Sequence, residues 1–236
     1  MASAPFSSTN ETTNYARLCR LLVDVGSQVL RERFDRIHSP SCLQTVLANP
    51  LVHKTLQSLW KKRIINPTQW SKLYPAVKTS VSSKHFDVTL LMILFRNICN
   101  LLTPATGWDN LPPATDTSLE ADIARIKFYR NTVYAHANQA SVDDATFGRY
   151  WQDIRDTLVR LGGAGGYEEA IDSLANESMD PEIERHYQEL VRQWKKDEDS
   201  VKDRLDEIDK KLYDLVNPEK RTRLTGQWYK KMQLKT

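Results

Sequence analysis

Apolar residues spaced in alternating steps of four and three run through this chain, and that spacing fixes its fold class. Phe147, Trp151, Ile154, Leu158 and Leu161 keep a 4-3-4-3 rhythm, which lays them on one stripe of an α-helix suited to a helical bundle. Leu18, Leu22, Val25 and Val29 follow at 4-3-4. No stretch shows the apolar/polar alternation of a half-buried strand. The sequence therefore predicts an all-α helical bundle over residues 13–162, followed by a long charged helical extension.

The punctuation of the chain divides it further. Residues 1–12 are small and polar and are expected to be a disordered tail. A helix is expected from Asn14 to the Ser39-Pro40 break, then an amphipathic piece over Ser41–Trp60. Asn66-Pro67 reads as an N-cap with proline at the first helical position. The strongly apolar run Phe86–Leu102 is expected to be the central buried helix, and Thr103–Asp116, with three prolines, a loop. Thr117-Ser118-Leu119-Glu120 reads as a capping box for a helix running to about His136. Another helix is expected from about Asp143. The stretch Gly162-Gly163-Ala164-Gly165-Gly166 lacks the lysine of a phosphate loop and reads as a flexible joint. Beyond it lie a short helix (163–180, with the joint), a long amphipathic helix (181–216) and a basic tail (217–236) around Trp228-Tyr229. The apolar seam of residues 181–216 is narrow and needs a partner surface. Either the bundle itself or a coiled coil with another chain would supply it.

Composition excludes several function classes. No run approaches 18 apolar residues, and the most apolar one, Val88–Ile98, already holds Arg96 and Asn97, so no membrane span is expected. The beginning MASAPFSSTNETTN lacks the basic-then-apolar layout of a secretory signal, which predicts a cytoplasmic protein. Cys19, Cys42 and Cys99 stand apart from one another and from any histidine at zinc spacing. They read as reduced thiols, with no metal site and no cofactor expected. Residues 1–166 hold 19 Lys and Arg against 13 Asp and Glu, a net +6, whereas residues 167–236 hold 14 against 17, a net −3. A basic first part suits a polyanionic partner.

One helix carries residues with chemical potential. Leu119, Ile123, Ile126, Val133 and Ala137 share a face at about 100° per residue, and Arg130 falls inside that stripe. A guanidinium there is costly unless it is paired or reaches a cleft. His136 lies about 9 Å further along the axis and about 120° around it. A site using both side chains needs a helix break or a second copy across a dimer axis.

The segment Arg130-Asn131-Thr132-Val133-Tyr134-Ala135-His136 resembles the R-N-x-x-x-x-H motif of the HEPN superfamily, helical-bundle proteins that include metal-independent ribonucleases. Several further stretches look like the HEPN domain of the DAZ-interacting protein 3 type ubiquitin ligases. They are Phe86-Asp87-Val88-Thr89-Leu90-Leu91, Arg96-Asn97-Ile98-Cys99, the loop Ala105–Pro112 around Gly107-Trp108, and Thr117–Ile123. The resemblance covers roughly residues 15–162.

That resemblance implies a composite site in a homodimer, with two motifs face to face. His136 would act as general base or acid around an RNA 2′-hydroxyl. Arg130 would stabilise charge on the phosphorane-like transition state, and Asn131 would orient the reacting groups. Arg125 and Lys127, on the same helix, would hold the phosphate backbone. Many domains of this superfamily act without cleaving, so three readings stand: endoribonuclease, RNA binding alone, and a protein-interaction adaptor using the bundle and the 181–216 helix. The ligases of this type carry a cysteine-rich RING. The lone cysteines here give no such module, so ligase activity is not expected.

Overall fold

The computed structural model describes residues 9–135, 139–163 and 165–193. Among these residues the fold is all-α, with no strand. The first helix, α1 (Asn10–Arg20), starts earlier than the apolar periodicity indicates. The reason is local: the Thr9 hydroxyl accepts the Thr12 N–H, and the Thr12 hydroxyl accepts the Thr9 N–H in return. A π-helical segment, Leu21–Gly26, carries the chain into α2 (Ser27–Ile37), so residues 10–37 form one rod. The four apolar residues expected to share its face, Leu18, Leu22, Val25 and Val29, are all buried.

Asn49 and Asn66 then write two sharp corners. The expected single piece over Ser41–Trp60 is two helices, α3 (Leu43–Ala48) and α4 (Pro50–Lys61). The Asn49 side chain accepts the N–H groups of Leu51 and Val52 at the start of α4. Asn66 caps α5 (Pro67–Leu73) through a reciprocal bond with Gln69, with proline at the first helical position as expected. Asn66→Ala is expected to lower stability by about 1 kcal/mol, seen as a Tm loss of about 2–4 °C in thermal unfolding.

Asp87 caps α6 (Val88–Ile98), and Asp143 caps α8 (Asp144–Gly162). Between them, Ser118 accepts the Ala121 N–H at the start of α7 (Leu119–Ala135). The core runs between these helices. Phe34 of α2 is fully buried at an aromatic hub, edge-on to His38, Phe86 and Phe95 at centroid distances of 5.4, 6.0 and 6.0 Å. The apolar stripe of α8 is buried at Trp151, Ile154, Leu158 and Leu161.

The expected burial of α6 holds, with seven of its eleven residues buried, and it is matched by α7, where residues 121–126 are buried without interruption, including Asp122 and Arg125. The α7 helix packs chiefly on α8, whereas α6 packs on α2 and α4. The glycine stretch after α8 is a packed corner. The buried Tyr167 ring, at the start of α9 (Tyr167–Asn176), lies against Gly162 and Gly165, where a Cβ would collide with it. Gly163 and Gly166 adopt φ of 61° and 69°, which glycine alone takes without strain.

After α9 a helix over 181–193, α10, lies back on α1. The Thr13 hydroxyl donates to Glu184 at 2.6 Å, Tyr187 donates to Asp24 at 2.6 Å, and Val191 is buried. The rest of the expected 181–216 helix and the basic tail lie outside the described residues. Cys19 and Cys99 are buried, and desolvation pushes both thiols up to about 12; Cys42 is exposed. Among the described residues no group of His, Cys, Asp and Glu is arranged to hold a metal, and no helix is long and apolar enough to cross a membrane.

Candidate nucleic-acid site

Arg130 sits on α7 where the helical stripe placed it, 2% exposed, with its guanidinium carbon 5.0 Å from the centre of the Tyr134 ring. Tyr134 is itself buried. Asn131, next on the helix, is half-buried, and its Oδ1 has no hydrogen-bond partner among the described residues. His136 lies outside the described residues. The two described members of the motif are therefore sequence neighbours at the edge of the core, with Arg130 turned inward.

The two expected phosphate contacts have other occupations. Arg125 is 3% exposed and sits in an internal ion cluster. It pairs with Asp122, whose two carboxylate oxygens also take Arg160 Nε at 3.0 Å and Nη2 at 2.7 Å. That pairing holds the Arg160 guanidinium above its ordinary pKa. The far side of Arg125 donates to the carbonyls of Pro113 and Asp116, both at 2.9 Å. Lys127 pairs with Asp109, whose carboxyl is held below the usual range chiefly by that hydrogen bond. Arg96 approaches the same carboxylate at 3.9 Å and lies 5.9 Å from the Trp108 ring centre. Arg96, Arg125 and Lys127 thus fasten the 103–118 loop to α6 and α7. In this conformation Arg125 and Lys127 are spent on the loop rather than offered to a phosphate.

The open positive charge lies elsewhere. Residues 38–108 contain eight Lys and Arg against the single acid Asp87, a net +7 in a segment that more than accounts for the basic balance of the first 166 residues. Lys54, Lys61, Lys62, Arg63, Lys78 and Lys84 of this segment are all exposed. The signal was present in the sequence as a 71-residue stretch almost free of acids. An average over 166 residues concealed it, because the acids of α7 and α8 offset the lysines of α4 and the segments after it.

Comparison with known proteins agrees with this architecture. Residues 40–187 match the model of the DZIP3/ hRUL138-like HEPN family, a span that starts after α2 and reaches into α10. Among curated proteins, the E3 ubiquitin-protein ligase DZIP3 of Mus musculus is 30% identical over 153 residues, and that of Homo sapiens 29%. The matched segment covers 63% of this chain and 12% of either relative, so the likeness concerns one domain of much longer proteins. No solved structure matches the chain. The helical bundle with its Arg130-Asn131 pair on an enclosed α7, together with the match over residues 40–187, makes this chain a member of the DZIP3/ hRUL138-like HEPN family.

Proposed function

We propose that this chain is an RNA-directed HEPN domain that binds RNA through its exposed basic sector. The observation that carries the reading is the segregation of charge: a net +7 within residues 38–108, with seven of the eight basic residues exposed and all of these but Arg96 standing away from the 103–118 loop. Neutralising phosphates with such side chains releases counterions, which drives binding and makes it salt-dependent. Phosphate contacts at Arg125 and Lys127 would require both to leave their present partners. Contacts at α4 and the turn after it require no rearrangement.

Cleavage is the catalytic form of the same proposal and asks for more. A second copy must bring two Arg130–His136 motifs together. One His136 then takes the proton of the 2′-hydroxyl as its oxygen attacks the adjacent phosphorus, and the P–O5′ bond breaks to leave a 2′,3′-cyclic phosphate. The His136 of the other copy protonates the departing 5′-oxygen, while Asn131 orients the groups and Arg130 stabilises the developing charge. At 2% exposure the Arg130 guanidinium faces protein within one chain, so this chemistry depends on the dimer uncovering it, whereas binding does not. The burial of Arg130 therefore favours binding over cleavage in a single chain.

Incubating the purified chain with single-stranded RNA in EDTA tests both forms. Binding that weakens by about tenfold or more between about 50 and 200 mM salt supports the proposal, given several phosphate contacts. Cleavage that is lost in His136→Ala, together with a dimer by light scattering, supports the catalytic form. A chain that neither binds nor cleaves RNA overturns the proposal and leaves the domain as a protein-interaction adaptor.

A further inference from the structure

The corner between α4 and α5 combines three features that ordinary packing does not explain together. Trp60, in the last turn of α4, lies flat on Trp70 of α5, with ring centres 5.0 Å apart and planes 22° from parallel. Trp70 continues into Tyr74 at 4.4 Å, so the rings form a short aromatic tier. Trp60 itself remains 38% exposed, more open than the half-buried Trp70 on which it lies. Directly after it come Lys61, Lys62 and Arg63, all exposed. With Ile65, Asn66 and Pro67, Trp60, Lys61 and Arg63 line a cleft at this corner.

The third feature is backbone strain. The α4 helix ends in a Schellman motif: the Ile64 N–H donates to the Leu59 carbonyl at 2.9 Å, and the Arg63 N–H to that of Trp60 at 2.8 Å. This geometry puts the residue at position 63 in the left-handed region, where glycine is the favoured occupant. Here it is Arg63, at φ 61°. Lys61 and Lys62 can be explained by the negative end of the α4 dipole. That account does not cover Arg63, because glycine there would relieve strain and still leave two cations at the helix end.

We infer that the α4–α5 corner is a binding site for single-stranded RNA, in which an unpaired base stacks on Trp60 while Lys61, Lys62 and Arg63 hold the flanking phosphates. An open indole face beside a row of cations is the arrangement that captures unpaired bases with little sequence preference. A duplex, whose bases are already stacked, offers the indole nothing. An acidic peptide would use the cations but not the ring. The inference rests on the RNA-directed reading above and adds the form of RNA and the residues that take it.

Fluorescence anisotropy of the full chain with a labelled 12-residue oligouridylate, at about 100 mM salt, tests it. Trp60→Ala is expected to weaken binding by about 10-fold and Trp60→Phe much less, while affinity for a duplex of equal length stays unchanged. Arg63→Gly gives the check that a folding defect cannot imitate. It is expected to raise Tm by about 2–4 °C, weaken oligouridylate binding by about 3-fold, and lower the salt slope by about one. If the wild type binds but Trp60→Ala and Arg63→Gly bind as it does, the corner is not the site and the broader RNA reading stands. If the wild type binds no RNA, both fall. If polyglutamate binds equally well and is equally sensitive to Trp60→Ala, the site takes acidic peptides and the inference is overturned.

Discussion

Asp122→Ala is expected to lower the stability of the domain by about 3–5 kcal/mol, a Tm loss of about 10 °C. Asp122 is 2% exposed and serves two guanidinium groups at once, Arg125 from its own helix and Arg160 from α8. The two cations are not equivalent when the carboxylate is removed. The Arg160 side chain is 36% exposed and can turn to water, whereas that of Arg125 is 4% exposed and cannot. The penalty is therefore mainly a buried cation left with only the Pro113 and Asp116 carbonyls, not the loss of a favourable pair. Two controls follow from this asymmetry. Arg160→Met should cost less than about 1 kcal/mol, and Asp122→Leu combined with Arg125→Met should recover most of the loss seen in Asp122→Ala. Urea unfolding of the four proteins measures all of this, and an Asp122→Ala protein as stable as the wild type would contradict it.

Arg130→Ala is expected to cost about 2–3 kcal/mol, because it removes a long side chain at 2% exposure and the packing of its guanidinium over Tyr134. Arg130→Met fills more of that space and should retain about half of the loss. Thermal unfolding of both variants separates a structural arginine from one held ready for chemistry. If Arg130→Ala melts with the wild type while RNA cleavage disappears, the guanidinium belongs to substrate and the catalytic form of the proposal gains. If stability falls as expected, activity losses in Arg130 variants must be read at temperatures well below their own Tm.

These outcomes bear on how a family motif should be read within a fold. Arg96 and the Gly107-Trp108-Asp109 stretch were conspicuous in the sequence as part of the family resemblance, and Arg125 and Lys127 as expected phosphate contacts beside its motif. In the structure they meet at one place, where three cations fasten a proline-rich loop to two helices. A residue pattern shared with relatives can thus mark a structural clasp as readily as a ligand site. Only the direction of the side chains separates the two.

What the sequence determined by itself was local. The Asn66 cap, the helix start near Asp143 and the 4-3 apolar rhythm of α8 act within a few residues, so the all-α class and several helix starts could be read from the residues directly. By contrast α6, capped by Asp87, starts two residues after the expected Phe86. The burial of Arg130 in the apolar stripe was legible for the same reason. Three things were decided only by tertiary structure. The burial of Arg125 was not legible, because its partner Asp122, three residues away on the same helix, would serve equally well in an exposed pair. What encloses the two is Arg160, 38 residues beyond Asp122, and the loop carbonyls 9 and 12 residues upstream of Arg125. The glycine stretch looked like a hinge until the Tyr167 ring was placed against it. The Trp60–Trp70 tier required the turn at the end of α4 and the Asn66 corner to set α4 beside α5. Capping and periodicity are short-range and are written in neighbouring residues. Pairing of charges and stacking of rings depend on where distant segments meet, and that is fixed only when the whole core is packed.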